Sequence, residues 1–198
     1  MLYAVSSEMA RTYEKRARAA AEGETRRRIT EAAVELHSTI GPARTTVAEI
    51  ARRAGVSRVT VYNHFPTDDA LLAACSSHWA ERHPPPDTRA WTAIADADER
   101  LRTALRELYD WYETNAIMLE NSARDAALVP ALATVRAQRT EPALAAMLEL
   151  LAAGGADDRR ALVAVALELR TWQALARRGL SPLAAAELMA RAAAGLTR

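Results

Sequence analysis

Apolar positions fall at three- and four-residue spacing over most of the chain, and this period predicts helix rather than strand. Ile29, Ala32, Ala33, Leu36 and Ile40 make one apolar face of a first helix, about 24–39, which Gly41-Pro42 stops. Upstream lies a polar arm, residues 1–22, with Arg11, Lys15, Arg16 and Arg18; Gly23 is expected to close it. Thr46-Val-Ala-Glu49 has the pattern of a capping box, in which the threonine oxygen accepts from the amide of Glu49 and the carboxylate reaches back. A short second helix should follow to Ala54, with Gly55 as its C-terminal turn, then a third capped by Ser57 and ending at His64. Phe65-Pro66 separates it from a fourth, capped by Thr67 and running to about Arg82. Pro84-Pro85-Pro86 forces an extended link.

Beyond the prolines the same period predicts five more helices, making about nine. They cover about 96–116, 119–127, 130–153 with a bend at Pro142, 157–178, and 182–195. No stretch alternates as a strand does. The fold class is all-α, with a small N-terminal helix-turn-helix head and a larger helical remainder. The head is expected to span 23–66 and the remainder 67–198.

Composition narrows the function classes. Of the 198 residues half are hydrophobic, and one cysteine, Cys75, rules out an intrachain disulfide. No window approaches the roughly 20 apolar residues of a membrane span, and no signal-peptide pattern opens the chain, so the expected location is cytoplasmic. Residues 1–65 hold eleven Lys and Arg against seven Asp and Glu, while the remainder is net acidic. That asymmetry places the cations where a DNA-binding head would need them. Cys75 and His78 lie a turn apart with His83 near, but a metal usually needs three or four converging ligands. No metal, cofactor or catalytic cluster is expected, and the chain does not read as an enzyme.

The informative stretch is TTVAEIARRAGVSRVTVYNHF, Thr45 to Phe65. Val47, Ile50, Val56, Val61 and Phe65 can form a small core with the first helix, Ala51 is small where the helices cross, and Gly55 supplies the turn. This stretch resembles the DNA-binding domain of the TetR family of transcriptional regulators. The matching pieces are Arg26–Ile29 with Ala32, Ala33 and Leu36; Thr45-Thr46-Val47; Ile50-Ala51; Ala54-Gly55-Val56-Ser57; Thr60-Val61-Tyr62; and His64-Phe65-Pro66 followed by Leu71-Leu72. The resemblance covers about 50 residues, and the rest of the chain matches only in layout.

The resemblance implies that double-stranded operator DNA is contacted by Thr45, Thr46, Arg58, Val59, Thr60, Tyr62, Asn63 and His64. Thr45 and Thr46 would touch phosphate, Arg58 to Thr60 bases or backbone, and Tyr62 and His64 phosphate or sugar, with Asn63 facing the groove. Tyr62 could instead be core. Two positions depart from the family pattern: Val59 stands where Gly is usual, and Asp68 where Lys is usual. Val59 either restricts approach to the backbone or adds an apolar contact to a thymine methyl; Asp68 removes a phosphate contact. The basic arm either follows phosphate or is a solvated tail, the second being the better reading of a charge run.

For the remainder, the resemblance implies a homodimer through helices 157–178 and 182–195, with Leu162, Val165, Ala166, Leu169, Trp172 and Leu175 on one apolar face and Leu183, Leu188, Ala192 and Leu196 on the other. It also implies a small-molecule effector that releases a repressor from a palindromic operator. Candidate effector contacts are Trp111, Tyr112, Asn115, Met118, Arg139 and Trp172, for each of which core packing is an equal reading. The rival function is a dimeric small-molecule-binding protein whose head has weakened or lost DNA affinity.

Overall fold

The computed structural model describes the backbone of residues 2–197 and the side chains of residues 13–196. All regular structure among them is helical: α1 (Leu2–Thr39), α2 (Val47–Ala54), α3 (Arg58–His64), α4 (Asp68–Arg82), α5 (Thr88–Thr92), α6 (Ala97–Thr114), α7 (Ala116–Asp125), α8 (Pro130–Val135), α9 (Glu141–Leu151), α10 (Asp157–Ala166), α11 (Leu169–Ala176) and α12 (Pro182–Ala194), with short tighter or wider turns between some of them. No described helix is long and apolar enough to cross a membrane.

The chain divides into two compact units, Met1–Trp79 and Ala80–Arg198. In the first, Ile29, Ala32, Ala33 and Leu36 of α1 are buried with Ile50, Ala51 and Ala54 of α2, Val61 of α3, and Phe65. Leu71 and Cys75 of α4 complete this core, so the compact unit extends past the expected end at Pro66. Ile40 is 39% exposed because α1 ends one residue before it. Gly23 does not end a helix: α1 runs through it, and side chains 13–22 of the expected arm are exposed along its first half. The side chain of Arg11 lies outside the described residues.

In the second unit α6 packs along α12. Leu101, Ala104, Leu105, Leu108 and Tyr109 of α6 are buried with Ala185, Ala186, Ala190 and Ala193 of α12, and Trp91 of α5 is fully enclosed, donating its indole N–H to Glu107 at 2.8 Å. Small alanines on one helix let the larger side chains of the other settle between them at close approach. Arg159 of α10 is 3% exposed; it pairs with Asp98 at the start of α6 and donates to the carbonyl of Ala193 at the end of α12. Gly155 is needed beside it, because a Cβ there would stand 2.8 Å from the Arg159 Cδ.

Three features depart from the expected nine helices. Thr88–Thr92 forms the additional short helix α5, capped by Asp87. The helix expected over 130–153 widens into a π-type turn at Arg136–Thr140. Pro142 lies just beyond, and a proline ring clashes with the carbonyl four residues back, which a wider turn relieves. The helix expected over 157–178 breaks at Leu167-Glu168, where Glu168 is extended. The break frees carbonyls, and three hydroxyls take them up: Tyr109 donates to Ala166 O at 2.8 Å, Tyr112 to Leu167 O at 2.7 Å, and Thr171 to Val165 O at 2.6 Å.

Cys75 is 2% exposed, 3.9 Å from the Thr30 carbonyl, and burial pushes its thiol up from 9.0 to about 12. The folded protein therefore keeps the thiol neutral where the unfolded chain would ionise it. This stabilisation is full below pH 9 and is lost as pH rises from 9 towards 12. At pH 8 the native protein should resist alkylation by iodoacetamide, with labelling appearing only as urea unfolds it; fast labelling of the native state would show the thiol to be accessible.

Candidate nucleic-acid interface

The head presents two short helices, and short helices are stable only when their ends and faces are satisfied elsewhere. At the start of α2 the Thr46 hydroxyl oxygen accepts from the Glu49 amide at 3.2 Å, as its sequence pattern requires. The Glu49 carboxylate does not reach back: it pairs with Arg52, which holds its carboxyl below the usual range. At the other end Gly55 is left-handed, φ 65°, and its amide donates to Arg52 O while Val56 N donates to Ala51 O at 3.0 Å. This double closure turns the chain tightly into α3. The Ser57 hydroxyl oxygen then accepts from Thr60 N at 3.0 Å and opens α3.

α1 closes both helices from behind. Arg28 donates to Ala54 O, the last residue of α2, at 3.2 Å. Arg26 donates to His64 O, the last residue of α3, at 2.6 Å, and its guanidinium stands 4.0 Å over the Phe65 ring. Two cations thus meet the negative ends of both helix dipoles. Arg53 adds an ion pair to Glu35 of α1. Arg26 and Arg28 were legible only as part of a motif. Their roles depend on carbonyls 38 and 26 residues away, which no local spacing reveals.

The eight expected DNA contacts divide by geometry. Arg58, Val59, Tyr62 and Asn63 are exposed on α3, with Val59 at 68% and Tyr62 at 46%, so Tyr62 is not a core residue. Thr46 is exposed at the N-terminus of α2, whereas Thr45 donates its hydroxyl to Gly41 O at 2.9 Å. The Thr60 hydroxyl is held by that of Ser57 at 2.8 Å. His64 is half-buried, and its carbonyl receives Arg26. Asp68 is exposed in the first turn of α4, below the Thr67 cap.

The expected effector contacts gather less tightly. Trp111, Tyr112 and Trp172 form a ring cluster, with centroids 5.7 Å and 6.0 Å apart in succession. Trp111 donates its indole N–H to His83 O at 3.1 Å, and the Tyr112 hydroxyl is taken up by Leu167. Trp111, Asn115 and Met118 do not share one helical face, because α6 ends at Thr114 and Asn115 donates its side-chain amide to Trp111 O at 2.8 Å. Met118 is half-buried on α7, and Arg139 is exposed on the widened turn before Pro142. An open cleft of about 470 Å³ is lined by Glu120, Trp172, Gln173, Ala176 and Arg177, of which only Trp172 stood out in the sequence. The other four are polar or small and carry no pattern of their own.

Two helices joined by a tight turn, with an exposed outward face on the second, form a helix-turn-helix head. Residues 29–75 match the family described as bacterial regulatory proteins, tetR family. The fold is shared with solved structures from Rhodococcus sp. RHA1. One, a transcriptional regulator, is 23% identical, with 87% of this chain and 95% of that chain covered and a TM-score of 0.62. Another, a TetR-like transcriptional regulator, is 23% identical, with 85% and 93% covered and a TM-score of 0.56. No curated protein sequence matches the chain. The head is therefore similar to the DNA-binding domain of the tetR family over residues 29–75, and the whole chain shares its fold with these regulators.

Replacing Arg26 by Ala should remove both the α3 carbonyl bond and the cation–π contact. It should lower stability in urea denaturation by about 1–2 kcal/mol, and an unchanged midpoint would show that α3 is held without it.

Proposed function

We propose that this protein is a dimeric repressor that leaves a palindromic operator when a small molecule binds its Ala80–Arg198 unit. The observation that carries the proposal is the outward face of α3, where Arg58, Val59, Tyr62 and Asn63 are exposed on a helix capped at both ends. Side chains of these kinds bond phosphates and base edges in a major groove. Thr46 joins them from the start of α2.

A dimer is supported by the second face of α12. Its buried side, Ala185, Ala186, Ala190 and Ala193, serves its own subunit. Leu183 and Leu188 of α12 stay 54% and 39% exposed, Leu196 in the turn just beyond it 42%, and Val165 on α10 47%. An apolar face left in water on two neighbouring helices suits a self-complementary contact. Ala166 and Trp172, expected on that face, are buried within the subunit, so the dimer surface is narrower than the sequence pattern implies.

The effector site is supported by the cleft at Trp172, where an aromatic wall meets Glu120, Gln173 and Arg177. The ring cluster behind it, through Tyr112, reaches the carbonyls at the α10–α11 break. A ligand at Trp172 would act on that break, and operator release would follow as an allosteric coupling between the two units. With DNA as its partner, the protein works in the cytoplasm.

Selection of genomic DNA fragments by the purified protein at physiological salt tests the reading. A palindrome whose half-site centres lie about 10 bp apart, or a multiple of that, is expected. Arg58→Ala should lose specific binding while keeping its fold. Weak binding that ignores sequence and vanishes with modest salt would instead favour a small-molecule-binding protein with a silent head, consistent with the acidic Asp68.

A further inference from the structure

The face of α3 is more ordered than a list of exposed residues suggests. At 3.6 residues per turn, positions two before and two after a given residue lie about 200° around the helix from it, nearly opposite. Val61 points into the head core, 1% exposed. Val59 and Asn63 therefore form the crest of the outward side, one turn apart. Arg58 and Tyr62 fall on one flank. Thr60 and His64 fall on the other, where the Thr60 hydroxyl is engaged by Ser57 and His64 is half-buried.

Val59 at this crest needs a reason. It is 68% exposed, contributes nothing to the head core, and as a β-branched residue is a poorer helix former than alanine. Its methyl groups offer one kind of recognition, an apolar contact, and in a major groove the exposed apolar group is the thymine C5-methyl. Asn63 offers the complementary kind, since its amide can donate to and accept from the N7 and N6 edge of adenine together.

We infer that Val59 and Asn63 are the specificity-determining pair, Val59 seating a thymine methyl and Asn63 reading an adenine edge. This rests on the reading of α3 as the helix that enters the groove. The two side chains are about 6 Å apart along the helix axis, comparable to two base-pair steps of about 3.4 Å. Each half-site should therefore hold two A·T pairs one or two steps apart. Arg58 and Tyr62, on the flank, face the bordering phosphate strand and set the register.

The test uses the full-length protein and duplexes carrying the selected operator. Replacing thymine by uracil removes only the methyl group. At a single thymine in one half-site this should weaken wild-type binding about fourfold, the worth of one buried methyl, and Val59→Ala should bind the two duplexes equally. Alanine is a better helix former at this exposed position, so the variant should fold. Replacing one adenine by 7-deazaadenine should weaken wild-type binding about fivefold or more and leave Asn63→Ala unaffected. A specific complex indifferent to every uracil substitution overturns the inference while leaving the operator reading standing. So does a Val59→Ala protein that still discriminates against uracil. Failure to form a salt-resistant complex with any selected duplex overturns the operator reading and this inference with it.

Discussion

The head depends on how the C-terminal ends of two very short helices are closed. α2 has 8 residues and α3 has 7, too few to hold their shape in water from hydrogen bonds alone. Their outward faces are exposed and add no packing. The work is done from behind: Gly55 turns left-handed to return two amides to α2, and Arg28 and Arg26 of α1 fill the carbonyls of Ala54 and His64. With the guanidinium of Arg26 lying on Phe65, the end of α3 is fixed to the same helix that supplies the core. The outward face of α3 can then be exposed while both ends of the helix stay closed.

Cations nearest the reading face are thus divided between two tasks. Arg26, Arg28 and Arg53 hold the head together through α1 and are already paired. Arg58 stands on the outward side of α3, and Asp68 follows at the next helix with the opposite charge.

The head was largely legible in the sequence, because its signals are local. Thr46, Ser57 and Thr67 each accept from an amide three residues on, Gly55 adopts the one backbone shape it is suited to, and the apolar period gives the core. Contacts across long separations were not legible. Thr60 has the right chemistry for DNA yet spends its hydroxyl on Ser57. The second unit shows the same limit more sharply. The break at Leu167-Glu168 has no glycine or proline to announce it; the carbonyls it frees are met by the hydroxyls of Tyr109 and Tyr112, more than 50 residues away. Tyr112 therefore looks like a ligand-facing aromatic in the sequence and is a structural strut in the fold. The cleft beside Trp172 joins Glu120 of α7 to Gln173 and Arg177 of α11 and its end, residues that look like ordinary surface until the chain folds.

Amide hydrogen exchange, with and without the selected operator, tests most directly the claim that the head works by inserting α3 into DNA. On this account operator binding slows exchange across α3, residues 58–64, and the first turn of α2, residues 46–50, more than anywhere else in the head. Protection confined to the basic first half of α1, with α3 exchanging as it does in the free protein, would contradict it.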